Sequence, residues 1–129
     1  MRHIAFAALS VLIPVGAFAH GPAPAAQPGG TVAEASDEHW VELVLNGNQM
    51  TVYVSSEANQ PIPSARLGGK ATVLVGGKSQ QVTLVPAEAN SLAGKLDPAA
   101  TGKVTSVVTL SIDGKSAQVR FATNQAEAF

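Results

Sequence analysis

From His39 onward the chain alternates apolar and polar residues with a period of two. Trp40, Val41, Leu43, Val44 and Leu45 form a β-rich run that stops at Asn46-Gly47, after which Met50, Val52 and Val54 alternate with Gln49, Thr51 and Tyr53. Asn-Gly between two such runs signals a hairpin, because both residues tolerate positive φ. The device recurs at Gly76-Gly77, between Ala71, Val73, Val75 and Val82, Leu84, and again at Asp113-Gly114, between the run from Lys103 to Ile112 and the return through Ala117, Val119 and Phe121. A shorter strand around Ser91 to Leu96 closes at Asp97-Pro98.

This pattern predicts strands over 39–46, 49–55, 70–76, 79–85, 91–96, 103–112 and 115–123, with no amphipathic helical stretch of useful length. Val104, Val108, Leu110 and Ile112 fall on the inward face of the sixth strand, with Thr105, Thr109 and Ser111 outward. Val41, Leu43, Val52, Val73, Leu84, Val108, Leu110, Val119 and Phe121 are the expected core. In the first strand Trp40 and Val44 compete with Val41 and Leu43 for the inward face. Short strands at regular turn spacing predict an all-β fold, a single immunoglobulin-like antiparallel β-sandwich of about seven strands spanning residues 37–129.

Upstream the pattern is different. Residues 1–19 carry Arg2, an apolar run from Ile4 to Phe18 broken by Pro14 and Gly16, and the Ala17-Phe18-Ala19 cleavage pattern, which together read as a secretory signal peptide. Cleavage after Ala19 predicts a periplasmic protein, and no later apolar run is long enough to span a bilayer as a helix. Residues 20–36, HGPAPAAQPGGTVAEAS, hold almost no large side chain and predict a flexible Pro/Ala/Gly-rich leader without stable structure.

Composition narrows the chemistry. The 129 residues include no Cys, so disulfides, thiolate metal sites and a Cys nucleophile are excluded. The net charge of −1, which becomes −2 once Arg2 is removed, leaves no basic excess for a nucleic-acid partner. Gly77-Lys78-Ser79 and Gly114-Lys115-Ser116 resemble the end of a phosphate-binding loop, but the first lacks its leading glycine at Thr72 and a strand, not a helix, follows each. Serines are plentiful, yet His39 is the only imidazole of the folded body and no G-x-S-x-G elbow occurs, so no catalytic residues are assigned. Asp37 and Glu38 point to opposite sides of an extended chain and cannot flank one bond.

Metal binding is the chemical idea that survives. After cleavage His20 is the N-terminal residue, and its amine and imidazole, with His39 as a third nitrogen, suit one copper ion, Cu(II). The plainer alternative makes His20 the first residue of a tail and His39 a solvated strand-edge histidine. Trp40 and Tyr53 stand on the two arms of the first hairpin as a cross-strand pair or a partner-binding patch.

Several segments resemble one family. These are Pro28-Gly29-Gly30-Thr31-Val32-Ala33-Glu34-Ala35, the strand His39 to Leu45, Thr51-Val52-Tyr53-Val54, Gln60-Pro61-Ile62-Pro63, Lys70-Ala71-Thr72-Val73-Leu74, and Leu84-Val85-Pro86-Ala87 before Asn90. The chain is similar in them to small exported proteobacterial proteins that read H-G-G-x-V-x-E-A near the mature N-terminus, many of which accompany tripartite heavy-metal efflux systems. The resemblance implies a non-enzymatic periplasmic accessory in copper or zinc homeostasis, with an efflux component or another envelope protein as partner. One departure is Pro28, which stands where that family often has His. The alternative is a structural or protein-interaction module of the envelope with no metal role.

Overall fold

A computed structural model describes residues 23–125, and they form eight strands. In chain order these are β1 Gly30–Glu34, β2 Trp40–Asn46, β3 Gln49–Ser55, β4 Leu67–Val75, β5 Lys78–Pro86, β6 Ser91–Lys95, β7 Gly102–Ile112 and β8 Lys115–Gln125, with one 3-10 turn at Ser64–Arg66. The all-β class and the seven strands read from the alternation are present as β2 to β8. At the tight turns Gly76 and Gly77, and again Asp113 and Gly114, all have positive φ, the backbone that matches the twist of the flanking strands. The first hairpin turns one residue later than Asn-Gly suggests: Asn46 still pairs with Gln49, and Gly47 alone takes positive φ, at 62°.

Every neighbouring pair is antiparallel, in the order β1-β2-β3-β6-β5-β4-β7-β8. Regular turn spacing predicts two facing sheets of immunoglobulin-like type, whereas the strands join in one order that rolls into a barrel-like shape. The junction is β5, which pairs with β4 over Lys78–Leu84 and then with β6 through Val85 and Pro86. Gly94 lets β6 come this close, since a Cβ there would stand 2.5 Å from Val82 Cγ1 and 3.0 Å from the Thr83 carbonyl oxygen. The ends of the order, β1 and β8, meet at one rim, where Ser36 N–H donates to the Gln118 carbonyl at 2.9 Å and Gln118 N–H donates to Ser36 Oγ at 3.0 Å. Beyond that point, among the described residues, no strand pairs with Val119–Gln125 on this side.

All nine expected core residues are buried, and the first strand resolves in favour of Val41 and Leu43, with Trp40 and Val44 on the outer face. Leu45, Met50, Val54, Leu92 and Val104 complete the interior. Ser106 also points inward and is fully buried, with no hydrogen-bond partner for its hydroxyl among the described residues. Two connections plug the ends: Ile62, in the β3–β4 link, donates from its N–H to Val54 at one mouth, and Leu96 and Ala100, in the β6–β7 link, bond back to Asn48 and Gly47 at the other.

The expectation of a structureless segment over 20–36 is corrected in its second half. Gly30–Glu34 is a strand, in register with Trp40–Val44. The sequence carries no large apolar residue there to mark it, and the strand is held instead by its ends. A β-turn closed by Gly30 N–H to the Gln27 carbonyl, with Gly29 at φ 78°, sets its start, and the Ser36–Gln118 bonds fix its finish. The segment expected to be a signal peptide, 1–19, and His20 lie outside the described residues, as do 126–129 of the domain expected over 37–129.

Candidate functional site

His39 sits at the end of the β1–β2 hairpin, a tight loop in which Ala35 N–H donates to the His39 carbonyl at 2.8 Å and Glu38 takes φ 73°. Asp37 organises this loop. Its Oδ1 accepts the His39 backbone N–H at 3.2 Å, and its Oδ2 lies 2.9 Å from His39 Nδ1. The carboxylate lies beside the ring without a hydrogen bond to Nδ1, and Nε2 is the nitrogen left to meet a ligand. The side chain is about a quarter exposed, with Nδ1 on its buried side.

The same rim carries Arg66 and Asp113. Arg66 Nε donates to Asp113 Oδ1 at 2.7 Å, Arg66 Nη2 donates to Asp113 Oδ2, and Asp113 N–H returns a bond to the Arg66 carbonyl at 3.0 Å. These side-chain bonds from Arg66 hold the Asp113 carboxyl below its ordinary value against the opposing effect of burial, with the charges of Arg66, His39 and Lys115 adding to the lowering. The Arg66 guanidinium is correspondingly raised, first by its hydrogen bond to Asp113. Thus His39 stands within the field of a fixed ion pair that tethers the β3–β4 connection to the β7–β8 turn. Neither member is singled out by sequence, since the two are 47 residues apart and Asp113 reads as a turn residue.

Trp40 and Tyr53 share the outer face of the first hairpin but are not directly paired. Trp40 is opposite Ser55 and Tyr53 opposite Glu42, so the two aromatics are diagonal neighbours with Glu42 beside both. Glu42 is the residue that sequence reasoning missed on this face. Its Oε2 accepts the Gln27 backbone N–H at 2.7 Å and its Oε1 meets Gln27 Nε2 at 3.3 Å. The signal available for it was Pro28-Gly29, a turn dipeptide that brings the residue before it back onto the sheet.

His20 lies outside the described residues, so the structure does not bring it together with His39. Among the described residues no group of three or more His, Asp and Glu side chains is placed to hold a metal ion. On the opposite side of the barrel, Lys70, Thr83, Thr109, Ser111 and Ser116 line an open depression of about 430 Å³. It gathers one cation and several hydroxyls, with no carboxylate or imidazole to act as a base. Comparison with family models, with curated proteins and with solved structures finds no match.

Proposed function

We propose that this chain is a non-enzymatic periplasmic accessory protein of heavy-metal homeostasis or efflux, acting on copper or zinc by binding a metal or a partner. The observation that carries the reading is the placement of His39 at the barrel rim. Its imidazole lies beside the Asp37 carboxylate with Nδ1 turned inward and offers one nitrogen, Nε2, to a coordination site. Borderline divalent ions favour such a nitrogen, and the remaining ligands must come from outside the described body. Two sources fit: the amine and imidazole of His20 at a processed N-terminus, or side chains of an efflux component that exchanges metal with this rim. The resemblance to exported proteins that accompany efflux systems supports the same reading. Growth of a strain lacking the gene, across graded copper, zinc, cobalt and cadmium, is the test. Impaired growth under copper or zinc is expected, and growth unchanged under every metal overturns the proposal.

A second reading, an envelope interaction module with no metal role, is favoured by one observation. The outer edge of β8 from Val119 to Gln125 is long, contains no proline, and pairs with no other strand among the described residues, so that it offers its backbone groups to an added strand. A partner identified from periplasmic extract and retained in excess chelator favours this reading. Loss of the partner on chelation favours the first.

A further inference from the structure

We infer that the outer face of the β1–β2–β3 hairpin system is the docking surface for the chain's own leader, residues 23–27, and that Glu42 is its clamp. Three observations converge on this. The Gln27–Gly30 turn reverses the chain, which directs Ala23–Ala26 back against the direction of β1, toward the rim that carries Trp40 and His39. The Glu42 carboxylate, projecting from the outer face of β2, takes both the backbone and the side-chain N–H of Gln27 and so draws the leader onto the face rather than along the edge of β1. Gly30 is shaped to this contact, because a Cβ there would stand 2.2 Å from Glu42 Oε2 and 3.0 Å from the Gln27 carbonyl oxygen. Pro24 is partly buried while Ala23, Ala25, Ala26 and Gln27 around it are exposed, as expected of a segment that touches the body at one point.

The chemistry of the occupant fits the surface. Pro24 and Pro28 bias the leader toward the extended polyproline conformation, which loses little entropy on docking, and aromatic faces such as Trp40 and Tyr53 are the platforms such segments prefer. Length is sufficient as well. The four residues from Gln27 to Ala23 reach up to about 14 Å, against about 10 Å of strand between Glu42 and His39. A partner that uses Trp40 and Tyr53 must therefore displace the leader. The docking itself needs neither metal nor partner, so it stands or falls separately from the proposed function.

The chain has one Trp and no Cys, which makes the test direct. Ala25→Cys is labelled with a nitroxide and quenching of Trp40 emission is read in chelator, with the same label at Ser79→Cys, on the distant β4–β5 hairpin, as the reference. Strong quenching from position 25 and weak quenching from 79 are expected. Glu42→Ala should lower the docked-to-free ratio about tenfold, Glu42→Gln by less, and Gln27→Ala least, because the backbone N–H remains. Far-ultraviolet circular dichroism of each variant checks that the barrel is intact. Equal quenching with and without the Glu42 carboxylate, or quenching from position 25 no greater than from position 79, overturns the inference.

Discussion

β1 and β7 are both strands of one sheet, and they are held by different physics. β7 is eleven residues long, lies between β4 and β8, and buries every second side chain from Val104 to Ile112. β1 has five residues at the end of the strand order and buries none of them fully. One strand exists because its inward face is apolar, so the hydrophobic effect fixes its register. The other exists because both of its ends are tied, at Gln27 by Glu42 and at Ser36 by Gln118, and because β2 offers a ready ladder. The contrast shows that a segment whose apolar contribution is small, chiefly Ala33 against the core, can be ordered by a turn and a few well-placed polar bonds.

Truncating one residue in each strand tests that division most forcefully. Leu110→Ala in β7 should cost about 2–5 kcal/mol, whereas Val32→Ala in β1 should cost less than about 1 kcal/mol, both read from urea unfolding. Comparable losses in the two would mean that β1 is part of the cooperative core after all. The next largest effect is expected where the barrel turns its corner. Gly94→Ala forces a methyl group against Val82 and the Thr83 carbonyl and should cost about 1–3 kcal/mol, while Gly68→Ala, whose nearest neighbour is Ser111 Cβ at 3.9 Å, should be neutral or slightly stabilising. A tolerated Gly94→Ala would show that β6 can move away from β5 without loss.

The same contrast explains what was legible in the sequence. β2 to β5, β7 and β8 could be read because each couples alternating burial to a turn dipeptide, and Gly76-Gly77 and Asp113-Gly114 adopt the backbone their chemistry suggests; β6, which buries Ser91 and Leu92 in succession, was marked instead by the Asp97-Pro98 turn after it. β4 begins earlier than the pattern indicates, since Gly68-Gly69 resembles a turn; Gly69 in fact sits where β4 and β7 approach, and a Cβ there would be 2.8 Å from the Thr109 carbonyl oxygen. β1 was illegible because its stabilising contacts come from Glu42 and Gln118, one of them in a strand 82 residues beyond Ser36. The single-sheet order was illegible for a related reason. Pattern gives the faces of strands but not which strand follows which, and the β5–β6 pairing rests on two residue pairs and a glycine. Of the candidate site, His39 and the shared face of Trp40 and Tyr53 could be anticipated, whereas the ion pair of Arg66 with Asp113 and the clamp on Gln27 required the fold.

Ser106 marks the one place where β7 departs from its own rule. Its hydroxyl is fully buried opposite Val73 and Phe121 without a partner among the described residues, a local cost within the strand that otherwise contributes most. Ser106→Ala should therefore stabilise the protein by about 1 kcal/mol, seen as a higher urea midpoint at unchanged m-value. Destabilisation would mean that the hydroxyl has a partner in solution, such as an ordered water.

The smallest effect belongs to the rim, where both regions meet solvent, and its sign is fixed by the direction of one pKa. Asp113 is held below its ordinary value, first by the hydrogen bonds from Arg66, so its contribution is complete above the unfolded value of about 3.9 and is lost as pH falls through the lowered folded value. Arg66 is raised from an already high value, so its share is constant through the acid range. Both side chains are about half exposed, which makes the gain modest and sensitive to salt. Asp113→Asn isolates the charge, because asparagine also tolerates the φ of 52° at this turn and keeps one acceptor for Arg66. Melting temperatures measured from pH 7 down to pH 2 should fall more steeply for the parent than for the variant below about pH 4, with the two curves converging in high salt. Parallel curves at low salt would place the tether of the β3–β4 connection in the backbone bond from Asp113 N–H to the Arg66 carbonyl, and leave the ion pair without a role in holding the rim.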